Sequence, residues 1–560
     1  MSVQTGVRPV HVLAAHSDSD RVAEMAAQEH AGGRHVRAHA LAGADAGGGD
    51  ERARLRLEIA HVQGAVLEAL ADDGAMLLVD ERASLAVPLM MRVLLDERAM
   101  GWEAAWERVQ TATACRLGVP SDDPGPFWTA SVLEEECPRI IEILYEINRR
   151  HLDAADALRP GDLEHRRDVS LFREDEPRRL CLGALAVVGC GRAEVAKPWE
   201  GRLARLFTGL RDLRDGALQA RPTPVSHRRW LVEASPSLSA ALTLALGEGW
   251  PSEPEALARL ETLAYEPGFR GAFRTARRSA REKLGAHLRA TLGLETDPDA
   301  LVDLRLGSFA GRERLLLNVL GLVREHLRIA AGGWTPPAAR TVVLARAGDP
   351  GGREAQRLLS VARAVADAVN RDERAKAVLR VAVLPECPEP VVRLLTGAAD
   401  LSNQPGTAGS GASGVRALGL AVAGAITLGT RDGTVRELEE AVGADHLFLF
   451  GLGARETRAW RDGRFYRPQD VYAIDPLVRL SLDGLTSKRY APEPGAFDWV
   501  RHRLLDPHDP WLVLADFGAY VHRQDEALAE FADPRAFTEK AIFTLARARR
   551  FWAATREPGP

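Results

Sequence analysis

The chain has 560 residues, of which 46% are hydrophobic and 27% are charged. These fractions are typical of folded globular proteins and exclude intrinsic disorder as the main state of the chain. The 73 basic and 78 acidic residues leave a formal net charge of -5. Such a balance argues against a broad nucleic-acid-binding surface, so we expect no nucleic-acid partner.

The N-terminal segment lacks a charged lead followed by an apolar core, and the sequence contains no apolar run long enough to cross a bilayer. We therefore expect neither export nor membrane insertion. The five cysteines are scattered and form no CxxC pair, which indicates neither a zinc cage nor a disulfide framework. The composition thus predicts a cytoplasmic protein, and it singles out no metal ligands.

In the first half, residues 34–50 end in a Gly/Ala-rich stretch that is interpreted as a loop. A helix is predicted to follow, because hydrophobic side chains recur there at helical spacing. These side chains are Leu55, Ile59, Val62, Val66 and Leu70. The next predicted elements are a strand at 75–80 and helices at 84–98, 102–115 and 131–157. The apolar run at 180–189 is consistent with either a strand or the start of a buried helix.

From about residue 226, long amphipathic helices are predicted at 268–295 and 311–331. Short apolar runs then alternate with helices, which is the pattern of a parallel sheet covered on both faces. The predicted strands are 341–346, 378–385, 425–430 and 446–451, and the helices among them are 353–371 and 435–442. Two C-terminal helices are predicted at 516–531 and 534–553, the second starting at Pro534.

Gly409, Gly411 and Gly414 match the pattern GxGxxG. A dinucleotide site would need a strand directly before the first glycine, but the preceding residues have loop composition. We therefore do not expect a nicotinamide site. A Gly-rich loop that opens a helix can nevertheless bind an anion or a hydroxyl group through its backbone N–H groups.

The other candidate motifs have ordinary structural explanations. Trp102 and Trp106 share one helical face, which is more typical of a core than of a sugar platform. Cys387 is expected to be an inert thiol. The 15 histidines are dispersed, and no Ser/His/Asp set stands out.

Two stretches, 398–414 and 424–451, resemble the glycogen (α-glucan) phosphorylase family. Further similar stretches follow the family's order at 84–97, 101–106, 144–152, 228–238, 316–326, 340–351 and 513–542. The resemblance covers about residues 52–552. It implies an α/β fold with two Rossmann-like lobes of the glycogen-phosphorylase type, an active-site cleft between them, and C-terminal helices. By this resemblance residues 1–225 are a truncated remnant of the first lobe, and residues 226–560 are the second lobe.

In that family, pyridoxal phosphate is held as a Schiff base on a lysine, and its phosphate group assists the inorganic phosphate that cleaves the glucan. In this sequence, several positions that match the family's cofactor-binding and phosphate-binding residues carry other residue types. Aligned without a gap, the family's G-T-G-N-M-K corresponds to residues 414–419, so Gly419 stands at the lysine position. A glycine has no amine, and no pyridoxal phosphate is expected. The family's substrate-phosphate lysine and arginine correspond to Gly307 and Ser308, and a later lysine corresponds to Glu313.

Other family positions are also replaced: a tyrosine by Cys387, a histidine near the glucose by Arg82, and the loop glutamate by Gly411. Losing this positive charge opposes the approach of two phosphate groups, since one charge pair at 4 Å contributes about 4 kcal/mol at an effective dielectric near 20. An alternative is that neighbouring arginines rebuild an anion site. The arginines in question are Arg82, Arg312, Arg314, Arg346 and Arg416.

The resemblance therefore predicts a phosphorylase-like protein of α-glucan metabolism that binds or regulates and carries no catalytic residues. Ser413 and Gly414 match the family positions that hydrogen-bond glucose, and with Gly409 and Gly411 they form the predicted substrate-binding set. The alternatives are that the loop keeps only its role in the fold, that the chain is an active phosphorylase releasing glucose 1-phosphate, or that it is an interaction protein without sugar affinity. Expected partners are an α-glucan or glucose, and a protein partner or second copy at the truncated lobe.

Overall fold

A computed structural model describes twelve stretches of the chain. They are residues 9–15, 35–41, 51–79, 81–118, 127–174, 177–197, 201–214, 216–307, 314–346, 353–408, 414–462 and 465–552. The chain divides into two compact units, the first ending at Thr223 and the second comprising Pro224–Trp552. Each unit has its own hydrophobic core.

The first unit contains two sheets. Its strands are β1 Val10–Ala15, β2 Val36–Leu41, β3 Ala75–Leu78, β4 Thr113–Leu117, β5 Phe127–Thr129, β6 Phe172–Arg173, β7 Arg179–Cys181, β8 Arg192–Val195 and β9 Leu218–Ala220. Six of them form a parallel sheet in the order β2-β1-β3-β4-β8-β9, and the other three form a small antiparallel sheet in the order β5-β7-β6.

The helices of the first unit connect these strands. They are α1 Glu51–Ala71, α2 Ala86–Arg92, α3 Trp102–Ala112, α4 Ala130–Glu136, α5 Pro138–Leu158, α6 Leu163–Val169, α7 Leu182–Gly189 and α8 Gly201–Leu213. A 3₁₀ turn at Arg82–Leu85 and a π-helical turn at Val93–Glu97 extend α2 at its two ends. The predicted helix at 84–98 is therefore one continuous helical segment with changing hydrogen-bond spacing.

Some expectations for the first unit were wrong in detail. The predicted helix 102–115 ends at Ala112, because the following residues pair in register with β3 and β8 as strand β4. The segment 34–50 contains strand β2, which the Gly/Ala-rich composition of its end conceals. The predicted helix 131–157 is two helices, with Cys137 between them and Pro138 opening the second. In the apolar run 180–189, the end of β7 is followed by the buried helix α7.

The second unit is built on one parallel sheet. Its strands are β10 Leu301–Gly307, β11 Arg340–Arg346, β12 Leu379–Leu384, β13 Leu401–Gln404, β14 Ile426–Thr430 and β15 Phe448–Phe450, in the order β12-β11-β10-β13-β14-β15. Every residue of β11 is buried, as expected for a strand with helices on both faces of its sheet. The alternation of apolar runs and helices therefore predicted this α/β architecture correctly.

Helices cover both faces of this sheet. They are α9 Pro236–Leu246, α10 Leu260–Leu263, α11 Pro267–Leu292, α12 Leu315–Ala331, α13 Arg353–Arg371, α14 Glu389–Ala398, α15 Val415–Val422, α16 Gly433–Val442, α17 Ala454–Asp462, α18 Pro468–Ile474, α19 Pro476–Leu485, α20 Asp498–Leu504, α21 Val513–Phe531 and α22 Pro534–Arg547. Local sequence sets several of their ends. Asp533 accepts hydrogen bonds from the first N–H groups of α22, and Gly293 ends α11 with a φ of 64°.

No helix in the described part of the chain combines the length and the apolar character that a bilayer crossing requires.

A buried polar cluster fixes the centre of the second unit. Arg340 on β11 pairs with Asp303 on β10 and with Glu325 on α12, and all three residues are buried. Buried charges of this kind are tolerated only when they are paired, so the cluster constrains how α12 packs on the strands.

The hydroxyl group of Tyr520 on α21 extends this cluster. Its oxygen accepts hydrogen bonds from the side-chain amides of Asn318, Asn403 and Gln524, at 2.7, 3.1 and 2.8 Å. These three donors come from α12, β13 and α21, so a single oxygen joins two helices and a strand.

We predict that Tyr520→Phe destabilises the second unit by about 1–3 kcal/mol, because buried amide donors lose their acceptor. The measurement is the urea unfolding midpoint followed by circular dichroism. Tyr265→Phe is the matched control, since Tyr265 is 60% exposed. Equal midpoints for the two variants would contradict the prediction.

Candidate functional site

The carboxyl ends of the six parallel strands of the second unit meet at one edge of the sheet, which is where open α/β sheets bind their ligands. In the sequence, the predicted loop glycines come after β13. Gly409, Gly411 and Ser413 lie outside the described residues, whereas Gly414 is described. Gly414 is exposed and directly precedes α15, and its carbonyl oxygen accepts a hydrogen bond from Thr434 Oγ1 at 3.1 Å.

Two arginines lie near Cys387, in the segment that follows β12 at this edge. Burial raises the pKa of the Cys387 thiol to about 11, and the positive charges of Arg416 and Arg346 oppose that rise. Both guanidinium groups therefore lie within electrostatic range of one sulfur atom, Arg346 from the end of β11 and Arg416 from α15. At neutral pH the thiol is protonated and weakly nucleophilic.

A third arginine reaches toward the same edge along β10. Arg305 Nη1 lies 3.3 Å from the place where a Cβ on Gly307 would stand. Gly307 pairs in register with Arg346 across the strands β10 and β11. The absent side chain at Gly307 thus leaves room for the Arg305 guanidinium beside the end of β11.

Arg314 has a different role from these three arginines. Its side chain is 2% exposed and pairs with Asp516 on α21 at 2.5 Å. Arg314 Nε donates to Thr407 Oγ1 at 3.0 Å, and the other oxygen of Asp516 accepts from the backbone N–H of Leu452. The pair therefore ties together the segments that follow β13 and β15. Arg314 Nη1 is buried without a hydrogen-bond partner among the described residues.

The other two arginines named from the sequence are Arg82 and Arg312. Arg82 belongs to the first unit, where it lies 3.3 Å from the buried carboxylate of Glu58. Arg312 lies outside the described residues. Ser308 and Glu313, at the family's phosphate-binding positions, also lie outside them.

The lysine position of the family is filled by another side chain. A Cβ built on Gly419 would lie 2.2 Å from Cδ2 of Trp230 and 2.5 Å from both Cε2 and Cε3. Trp230 belongs to the π-helical turn Arg228–Glu233 and is 1% exposed. Real Cβ atoms do not approach other heavy atoms so closely, and protein interiors do not open readily. The indole ring therefore occupies the space into which a side chain at position 419 would project.

The sequence offers no substitute amine at this edge. Its five lysines are Lys197, Lys283, Lys376, Lys488 and Lys540. Of these, Lys197 belongs to the first unit, and none of the other four lies in a segment that directly follows a strand of the second sheet. The residues present at this edge therefore do not fit pyridoxal phosphate held as a Schiff base, and no catalytic step is derived through it.

Sequence reasoning matched the segment of Trp230 to the family but did not identify the tryptophan as the occupant of the lysine position. The available signal was Gly419 itself, since a glycine inside a helical pattern often marks a close approach of another group. Arg305 was also missed, because the sequence does not show that its side chain extends past Gly307.

Each unit contains a sheet of six parallel strands with covering helices. This is the architecture of α/β proteins that bind ligands at the carboxyl ends of their strands. The chain belongs to the carbohydrate phosphorylase family, whose sequence pattern matches residues 55–555. The predicted membership of the glycogen-phosphorylase family and the two-lobed fold class are thereby confirmed.

Proteins similar to this chain include glycogen phosphorylases. The chain is 29% identical to the brain form from Bos taurus over 487 residues, which are 86% of this chain and 58% of that protein. It is 29% identical to the glycogen phosphorylase of Bacillus subtilis (strain 168) over 479 residues, 84% of this chain and 59% of the relative. It is 28% identical to the liver form from Homo sapiens over 491 residues, which are 87% of this chain and 58% of that protein. The matched region thus spans less than two thirds of each relative.

We predict that Gly419→Ala destabilises the second unit by about 1–3 kcal/mol, because overpacking against Trp230 outweighs the gain of about 1 kcal/mol that alanine brings to a helix. Urea unfolding measures the change. Gly271→Ala in α11 is the matched control, since a Cβ there meets no atom within 4 Å.

In the Trp230→Ala background the cost of Gly419→Ala should disappear, because the two residues are in contact. If Gly419→Ala cost the same with and without Trp230, the described packing would be contradicted. A Gly419→Ala variant as stable as Gly271→Ala would contradict it as well.

The turn that carries Trp230 is preceded by His227, whose ring packs 4.2 Å from the ring of Trp552. Burial lowers the pKa of His227 to about 4, although the Val225 carbonyl partly opposes this. The neutral imidazole is therefore the form that the folded state prefers.

We expect acid to destabilise the second unit through this residue. Since the pKa rises to about 6.5 on unfolding, stability is complete above that pH and falls as the pH decreases toward 4, by up to about 1.4 kcal/mol per pH unit. Unfolding midpoints between pH 8 and pH 4 measure the dependence. His227→Gln should reduce its slope over that window, and an unchanged slope would contradict the assignment to His227.

Proposed function

We propose that this chain is a carbohydrate-phosphorylase-family protein of α-glucan metabolism that binds a glucan or regulates its use, without phosphorolysis. The observation that carries the proposal is the indole of Trp230 in the space beside Gly419. A change of lysine to glycine alone could be compensated by a cofactor bound without a covalent bond. A tryptophan filling the same space removes the room for the amine as well as the amine.

The charge at the strand ends supports the same proposal. Arg314, at one end of the family's phosphate-binding stretch, is paired with the buried carboxylate of Asp516 rather than open to an anion. Separating such a pair to bind phosphate would leave Asp516 buried and uncompensated, at a cost of about 3–5 kcal/mol.

Glucan contact is proposed for the loop that precedes α15. Gly414 is exposed at the start of that helix, and its carbonyl is held by Thr434 in the neighbouring α16. Backbone N–H groups at the start of a helix can donate to sugar hydroxyl groups. With Ser413, Gly409 and Gly411, this residue is the proposed glucan-binding segment, and the protein is proposed to act in the cytoplasm.

The first experiment separates binding from catalysis. Purified protein is incubated with pyridoxal 5′-phosphate, passed over a gel-filtration column and scanned for visible absorbance. Maltoheptaose and inorganic phosphate are then added, with a glycogen phosphorylase as the positive control. We expect no retained cofactor absorbance and no glucose 1-phosphate. A yellow protein that releases glucose 1-phosphate would overturn the proposal.

The second experiment is co-sedimentation with glycogen. We expect the protein to be retained on glycogen and released by soluble maltooligosaccharides. Gly414→Val should weaken the retention at least about tenfold, equivalent to about 1.4 kcal/mol. Gly271→Ala serves as the control for the substitution of an exposed helical glycine. A protein that does not bind glycogen would contradict the glucan-binding role.

A second candidate function is glycosyl transfer with a rebuilt anion site. It is favoured by Arg346 and Arg416, which act electrostatically on the same Cys387 thiol at the strand ends. Under this alternative, phosphorolysis would be measurable and Arg416→Ala would abolish it, whereas Arg371→Ala on exposed α13 surface would not. Activity that is equal in both variants would exclude this anion site.

A further inference from the structure

Two histidines face each other in the first unit, outside the region that resembles the family. The parallel register of β1 and β2 pairs His11 with Arg37 and Leu13 with His39, so the two histidines lie two positions apart on one face of the sheet. His11 Nδ1 and His39 Nε2 are 2.9 Å apart, the ring centroids are 5.2 Å apart and the ring planes differ by 12°, so the rings lie edge to edge with these nitrogen atoms facing each other.

A carboxylate completes a group of three donors. Glu68 lies in the last turn of α1, and one of its oxygen atoms, with the two facing nitrogen atoms, forms a set whose members are all within 4.8 Å of one another. Glu68 is exposed and His11 is buried, so the group is open on one side and anchored on the other. The carboxyl end of a helix carries a partial negative charge, which favours a cation at this place.

The second nitrogen of His11 faces another carboxylate. His11 Nε2 lies 3.4 Å from Asp72, and Asp72 lies 2.7 Å from Arg37. A histidine that ligates a metal commonly presents its other ring nitrogen to a carboxylate, which fixes the tautomer and orients the ring. Gly74 leaves the space for this ring, since a Cβ there would lie 2.9 Å from His11 Cδ2.

A hydrogen bond between two neutral imidazoles would by itself account for the separation of 2.9 Å. In the metal-free protein Arg37 lies beside both carboxylates, 3.9 Å from Glu68 and 2.7 Å from Asp72. The three donor atoms nevertheless lie within reach of one ion. A neutral imidazole offers one lone pair to a metal ion. On metal binding, the imidazole that donates the hydrogen bond would change tautomer, so that its facing nitrogen carries a lone pair.

We propose that His11, His39 and Glu68 bind a divalent transition-metal ion, with Asp72 as the positioning residue. Two nitrogen atoms 2.9 Å apart, each about 2.0–2.1 Å from a metal, subtend an angle of about 90° at the ion. By donor type, two imidazoles and one carboxylate suit zinc, cobalt, nickel or iron(II) and leave coordination positions open, whereas magnesium and calcium prefer oxygen ligands alone. Because the two nitrogen atoms face each other in the metal-free protein, each ring would turn to direct its lone pair at the ion.

The test uses the full chain without an affinity tag, stripped with EDTA and exchanged into metal-free buffer. Zinc or cobalt(II) is added, and the bound metal is measured by calorimetry and by elemental analysis after gel filtration. We expect one equivalent per chain, and visible d–d absorbance for cobalt. His39→Ala and Glu68→Gln should each weaken binding at least about tenfold to a hundredfold. Both residues lie at the open side of the group, and circular dichroism checks that the variants fold.

The control is His61→Ala, at an exposed histidine on the same helix α1, which should bind metal like the wild type. Asp72→Asn should lower the affinity about 10–100-fold while the cobalt spectrum of the saturated protein keeps its shape, because Asp72 orients His11 without touching the ion. Wild-type protein that retains no metal would overturn the proposal. Binding that is the same in wild type, His39→Ala and Glu68→Gln would also overturn it, since the metal would then be held elsewhere.

Discussion

The contact between Gly419 and Trp230 is the constraint on which the functional interpretation depends. It joins α15 to the π-helical turn Arg228–Glu233, and it is possible only because residue 419 has no side chain. The buried indole belongs to the main core of the second unit, so the same contact that removes room for an amine also stabilises the fold.

The charged residues at the strand ends have two different surroundings. Arg314 stabilises the packing of α21 through its buried pair with Asp516. Arg346 and Arg416 instead act on Cys387, a neutral thiol at neutral pH. The edge thus carries positive charge, but in a different arrangement from the lysine and the arginine that the resemblance places at the positions of Gly307 and Ser308. This redistribution is compatible with binding a neutral sugar and unfavourable for two adjacent phosphate groups.

Much of the fold could be predicted from the sequence, because parallel strands covered on both faces have a strong local signal. Helix α13 was predicted at 353–371 and is found at Arg353–Arg371, and β11 differs from its prediction by one residue. Where pairing between distant segments decides the structure, the prediction was wrong: residues after Ala112 form a strand because β3 and β8 lie on either side of them.

The candidate sites were less predictable for the same reason. His11 and His39 are 28 residues apart in the sequence, and β2 was hidden in a segment interpreted as a loop, so nothing in the sequence indicated that the two imidazoles meet. The position of Gly419 was identified from the resemblance, but the side chain that fills its space comes from a turn almost 200 residues earlier. A glycine in the sequence indicates that another group packs closely against the backbone, but it does not identify that group.

The tryptophan beside Gly419 also limits which substitutions this position tolerates. A lysine at position 419 would place its side chain against the indole ring and would give an unstable protein. Replacing the tryptophan first would leave a cavity in the core, with a stability loss of about 3–5 kcal/mol. Both intermediates on a two-step path to a lysine at this position are therefore disfavoured.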